Sequence, residues 1–207
     1  MEVRKIDTVS LDGGCLCFDF INTVHHWEPT VGQDYLVDFE DFIKFLKRRG
    51  NPITDEYAAG LIHLYEEDKE VGETFLGRIK AVRTFLYNFF VVIAENKLPD
   101  EEQIATFNEL QQEMFKSLTT SYSDEGVKSK LIFGADLSSA THPIIKSAYD
   151  ILNHEDVSKI KQCPECGWLF LDVTKNQKKI YCNPQYCGSA VKMRKYYKKK
   201  RSSGPSS

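Results

Sequence analysis

No run of 18 or more apolar residues occurs in the 207-residue chain, so the sequence offers no membrane-spanning helix and no membrane contact is expected. The opening MEVRKIDTVSLDGG lacks the apolar stretch of a secretory signal, which leaves the cytoplasm as the expected compartment. Catalytic signatures are missing as well. There is no HExxH, no glycine-rich phosphate loop and no recognisable activated nucleophile, so the chain is not expected to be an enzyme. Internal repeats are absent, and the βαβ context that a thioredoxin-like Cys-x-x-Cys would need is absent too. In a reducing compartment disulfides are disfavoured, so the six cysteines point to metal ligation or burial.

What is present is enough apolar material for a core, 42% hydrophobic and 12% aromatic. The net charge of −3 hides a split at Ser158. Residues 1–158 hold 15 Lys and Arg against 28 Asp and Glu, whereas residues 159–207 hold 12 against 2. An acidic body repels polyanions and a basic end attracts them, so any nucleic-acid contact belongs to the C-terminal part.

Hydrophobic periodicity predicts a mainly α protein with small β-hairpins, of α+β class. Helices are expected over about 39–49 with a stop at Gly50 and Pro52, over 54–68, over 71–96, from Pro99 and Asp100 to about Leu118, and over 143–152. Leu16, Phe18 and Phe20 alternate with Cys17, Asp19 and Ile21 after Asp12-Gly13-Gly14, which predicts a strand or hairpin there. A second hairpin is expected around Asp124-Glu125-Gly126. The terminal SSGPSS, within 202–207, is expected to be a flexible tail.

The spacing Cys163-x2-Cys166, fifteen residues, Cys182-x4-Cys187 suits four tetrahedral thiolate ligands. Gly167 supplies the freedom of a tight knuckle, and the runs 168–173 and 179–181 predict a hairpin that returns the second pair to the first. A helix starting near Cys187 would favour a thiolate at its positive end. Knuckle, hairpin and helix together predict a treble-clef-like module holding one zinc ion. With all four positions filled by thiolates the site is closed to substrate, so the zinc is expected to be structural. Its formal −2 would be offset by Lys175, Lys178 and Lys179. The competing readings are a redox pair and ordinary buried thiols; the latter suits Cys15 and Cys17, which lie far from the module.

On the helix after Cys187, steps of 100° place Lys192, Arg194, Lys195, Lys198 and Lys199 in one arc of about 160°. Ala190, Met193, Tyr196 and Tyr197 fall opposite, and that face is expected to pack on the module. A lysine run is often no more than a solvated face. Set on a rigid support in an otherwise acidic chain, the arc is a candidate contact for a nucleic-acid backbone, DNA ahead of RNA. Its single arginine provides poorly for reading guanine edges, so positioning rather than specificity is expected, and a homodimer would add to it.

CPECGWLFLD at 163–172, Tyr181-Cys182, and Cys187-Gly188 ahead of a Lys/Arg/Tyr-rich helix resemble the CGNR zinc-finger family of bacterial proteins. LCFDFINTV at 16–24 is similar to the opening Leu-Asp-Phe-x-Asn-Thr signature of the ABATE domain, the usual N-terminal partner of that finger. The resemblance spans about residues 10–201 and implies an ABATE-like α-rich domain over 1–158, a CGNR-like finger over 159–201 and a role in stress-linked transcription regulation. Ser189-Ala190 stand where the family name expects Asn-Arg; the serine could cap the helix, but the arginine is missing. In the body, Asp19 and Asn22 sit among apolar residues, where an unpaired carboxylate is costly. Arg83, in a Leu-Arg-x-Ala-Leu-like stretch of the long helix, is the expected partner. Asp19, Asn22 and Arg83 form either a buried structural pair or a site for a small-molecule ligand. His25 and His26 are expected at the surface.

Two functions follow as expectations. One is a regulator whose zinc-held basic helix binds nucleic acid while the body senses a ligand or partner. The other is a protein-interaction module in which the zinc finger is purely structural.

Overall fold

The computed structural model of the protein describes residues 5–49, 53–124, 126–132 and 138–202. Among them the chain is chiefly helical, with two small antiparallel sheets. Helix α1 (Leu16–Ile21) is followed by α2 (Phe39–Arg48), α3 (Asp55–Glu67), α4 (Lys69–Ala94) and α5 (Glu101–Lys116). The hairpin of β1 (Leu118–Ser123) and β2 (Gly126–Leu131) leads to α6 (His142–His154). Strands β3 (Ile160–Gln162) and β4 (Leu169–Leu171) and the basic helix α7 (Ser189–Ser202) complete the order.

Helices α2 to α5 begin where side chains satisfy free backbone donors. Asp38 accepts from the Asp41 N–H, Thr54 from Tyr57 and Asp68 from Val71, and Asp100 with Gln103 forms a capping box. Asp68 also marks the break between α3 and α4, its extended backbone ending one helix and opening the next. The expected stop at Gly50 and Pro52, the turn residue Glu125 and the tail from 203 onward lie outside the described residues.

The strand predicted around Leu16 is a helix instead. Cys17, Phe18, Asp19, Phe20 and Ile21 are all buried, so no face is turned to solvent and the alternation of residue types carries no information about period. Cys15 caps this helix, its sulfur accepting from the Phe18 N–H. Around α1 the aromatic core interlocks, with Phe18 edge-on to Phe90 at 5.1 Å and Phe89 stacked on Phe107 at 4.9 Å.

The hairpin expected between 168–173 and 179–181 is also replaced. Strand β4 pairs with β3, which precedes the knuckle, in the register Ile160 with Leu171 and Gln162 with Leu169. The N–H of Lys179 donates to the Asp172 carboxylate rather than to a strand. Asp172, the residue after β4, accepts from the backbone N–H groups of Thr174 and Lys179 and so closes this segment as a turn instead of a ladder.

One core runs through both ends of the chain. The free edge of β4 meets α1: the Leu171 N–H donates to the Gly13 carbonyl, and the Asn22 amide pairs with both backbone groups of Leu169, at 2.8 and 3.1 Å. The Trp168 indole N–H donates to the Val24 carbonyl, and the Trp27 N–H to that of Cys166. Trp27 stacks on Tyr87 of α4 at 4.0 Å. Gly167 is required here, since its φ is +75° and a Cβ would lie 2.9 Å from that of Trp27. Asn22→Ala leaves an N–H and a C=O of Leu169 buried and unpaired, so stability should fall by about 2–4 kcal/mol in urea or thermal unfolding.

Candidate metal centre

Cys163 leaves β3 into a tight turn in which its N–H donates to the Trp168 carbonyl and the Gly167 N–H donates to its own carbonyl, both at 2.8 Å. That turn aims Cys163 and Cys166 to one side. Cys182 and Cys187 come from the segment before α7, where Asn183 accepts from the N–H groups of Gln185 and Tyr186 and caps a π-helical turn, Pro184–Gly188, that runs directly into α7. Ser189, expected to cap this helix, lies within the continuous helical stretch. Asn183-Pro184, a capping residue followed by proline at the first helical position, was a readable sign of the true start.

The ligand atoms of all four cysteines lie within 4.8 Å of one another. Cys166 to Cys182 is 3.6 Å, and Cys182 to Cys187 and Cys187 to Cys166 are both 3.7 Å. A tetrahedron with zinc–sulfur bonds of about 2.3 Å has sulfurs about 3.8 Å apart, so these three spacings match one zinc ion, with Cys163 in reach as its fourth ligand. Hydrogen bonds from Cys166, Cys182 and Cys187 outweigh burial and hold the Cys163 thiol far below its ordinary range, while the Cys166 and Cys182 thiols are pushed up by their sulfur neighbours, Cys163 first, as expected of four sulfurs too crowded to ionise together without a cation between them. Four sulfur ligands leave no position for substrate, so the zinc is structural. Cys15 and Cys17 behave differently. Burial pushes the Cys15 thiol up to about 12 and raises that of Cys17 as well, so both stay protonated as core side chains.

Helix α7 begins one residue after this cage. Lys192, Lys195, Lys198 and Lys199 are exposed along it. Arg194 forms an ion pair with Glu165 of the knuckle. The opposite face does not pack on the module as expected: Met193, Tyr196 and Tyr197 are 56%, 63% and 55% exposed. From Lys192 onward every described residue of the helix is exposed.

The three body residues do not form one group. Asp19 is met by Arg49, not Arg83: the Gly13 N–H donates to one carboxylate oxygen, and Arg49 Nε lies 2.7 Å from the other without aligning an N–H on it. Arg83 instead grips Asp34 through two hydrogen bonds of 2.8 and 2.7 Å and reaches Thr23. Burial would raise the Asp34 pKa, but the bonds and charge of Arg83 overcome it and hold the carboxyl below its usual range. Asn22 is engaged by Leu169. Neither Asp34 nor Arg49 carries a local sequence signal, because each is defined only by a partner far along the chain. His25 is exposed as expected, while His26 is half-buried over Gly32.

A helical body sharing its core with a four-cysteine zinc site is a zinc-finger protein of the α+β class. Residues 159–200 match the CGNR zinc finger. Residues 14–154 match ABATE, described as "Putative stress-induced transcription regulator"; this match covers more than half of the sequence, and the chain belongs to that family. No curated protein matches the chain.

Two outcomes are expected. Removing zinc with a chelator, or by Cys182→Ser, should lower the unfolding temperature of the whole chain in one transition rather than freeing a detached tip, as read by calorimetry alongside metal content. Burial pushes Asp19 up to about 6, with Arg49 only partly offsetting it. The folded state therefore holds this proton more tightly than the unfolded one, so the Asp19 contribution falls as pH rises from about 4 through about 6. Asp19→Asn should flatten the pH dependence of stability in that window by about 3 kcal/mol, measured by urea unfolding at stepped pH.

Proposed function

We propose that the chain is a cytoplasmic transcription regulator in which zinc fixes the root of α7 so that its basic arc lies against a nucleic-acid backbone, DNA ahead of RNA. The observation that carries this reading is the exposed row Lys192, Lys195, Lys198 and Lys199 on a helix rooted in the four-sulfur site, within a chain whose remaining surface is acidic. Phosphate attraction of this kind is independent of sequence. Arg194 is engaged by Glu165, so bidentate contact with a guanine is not what the helix is arranged to make. Selection of a particular site then falls to DNA shape or to a second copy. The chain acts by binding, not catalysis. Asp19, Asn22 and Arg83 are not assigned to a ligand, since each is occupied by a protein partner.

The interaction-module alternative is favoured by one feature, the exposed Met193, Tyr196 and Tyr197 stripe, which phosphate binding does not use. Anisotropy titration against a labelled DNA duplex and the matching RNA, across salt concentrations, separates the two. Affinity for DNA should fall linearly on a log–log plot, and each of Lys195→Ala and Lys199→Ala should reduce the slope by about 0.9 if its lysine contacts one phosphate. Binding that is absent at low salt, or indifferent to salt, removes the nucleic-acid reading.

A further inference from the structure

Two features of this chain remain unused by zinc or nucleic acid, and they match each other. The first is the α7 stripe. Met193, Tyr196 and Tyr197 stand at i, i+3 and i+4, the spacing with which an amphipathic helix anchors in a groove, and each is more than half exposed. Lys200 follows at i+7, and Lys192 and Arg201 border the stripe at 100° per residue. The second is a cavity of about 830 Å³ opening between α3, α4, α5 and α6. Its floor is apolar, with Phe75, Ile79, Leu110 and Ile145, and its lips include the exposed Leu64 and Val71. Among the described residues that line it, three carboxylates, Asp68, Glu70 and Glu113, stand against one cation, Arg78.

We propose that α7 of one copy seats its Met193, Tyr196 and Tyr197 stripe in the α3–α6 groove of a second copy, and that the second copy returns the same contact. The groove asks for an occupant that is apolar along one side and positive at its margins, and α7 has that form. Pairing of α7 with α7 would oppose seven cations on each helix, whereas helix and groove carry opposite charge. Because each chain owns one helix and one groove, the reciprocal exchange closes at two copies without leaving a free end for further growth. Lys195, Lys198 and Lys199 lie away from the stripe, so a docked helix still shows this part of its basic arc outward, and the dimer displays two such arcs.

The contact does not depend on nucleic-acid binding and is tested without it. Light scattering on the eluting zinc-loaded chain should give a mass near twice 23.8 kDa at low salt, moving toward one chain as salt rises or concentration falls. A Tyr196→Ser, Tyr197→Ser double variant should run as one chain, and so should Leu64→Asp with Val71→Glu at the groove lips. All four side chains are exposed in the single chain, and circular dichroism and zinc content check that folding is kept. Mixing the two variants should restore a two-chain species, because one intact helix then meets one intact groove. Wild-type protein that remains one chain at low salt overturns the inference. So does a dimer that ignores either pair of changes, or a mixture that stays monomeric. A monomer that still binds DNA defeats this inference and leaves the proposed function standing.

Discussion

Four sulfurs held at the spacing of a tetrahedron are the constraint on which the rest of the molecule leans. Zinc needs Cys163 and Cys166 on one turn, and that turn joins β3 to β4 and sets their register. The register in turn decides which backbone groups of β4 face outward, and those groups are taken by Gly13 and Asn22. Helix α1, whose last residue precedes Asn22, is only six residues long, far too short to persist in water by itself. The body therefore depends on the finger as much as the finger depends on zinc. A module of about forty residues buries too little surface to be stable unaided, and here it has both a metal and a neighbouring core.

Charge is arranged so that this dependence does not neutralise the basic end. Only Glu165 and Asp172 are acidic after Ser158, and both are consumed inside the module, by Arg194 and Lys161. Asp172 also accepts from the backbone of Thr174 and Lys179, folding the lysine-rich turn against β4. The seam to the acidic body relies mainly on neutral groups: backbone, the side chains of Asn22, Gln162 and Trp168, and stacked aromatics, with Asn183 to Asp12 the contact that involves a carboxylate. Hydrogen bonds between neutral groups are insensitive to salt, so the attachment of the finger holds at ionic strengths that weaken contacts through exposed lysines. Attachment and recognition are thereby separated in their physics.

Much of this was legible in the residues. Cap residues at Asp38, Thr54, Asp68 and Asp100 and the apolar spacing behind them mark α2 to α5 closely, because both signals are local. The cysteine spacing was readable for the same reason: metal geometry constrains loop length. What escaped was decided over distance. Asp19 needed a cation, but whether Arg49 or Arg83 reaches it depends on how α2 and α4 cross, which no local pattern encodes. Strand pairing between β3 and β4 was hidden because Ile160–Gln162 is only three residues, too few to show alternation. The exposed side of α7 was misjudged because amphipathic spacing tells which residues share a face, not whether anything covers it.

The residues first grouped as a ligand site have another common purpose once their partners are known. Arg83 and Tyr87 lie one helical turn apart on α4 and hold the two ends of one arrangement. Arg83 fixes Asp34, one partner of the Val24–Asp34 bridge, and Thr23, the neighbour of the other, while Tyr87 stacks under Trp27 and accepts from Gln162 of β3. The connection from α1 to α2 is thus clamped between the long helix and the knuckle, and it carries the Val24 carbonyl that receives Trp168. A buried arginine with one carboxylate adds little net stability compared with apolar packing, yet it is unforgiving of misplacement. Its value here is positional: an ion pair accepting one geometry sets the height at which the loop meets the finger, and so sets where the zinc-rooted helix leaves the body.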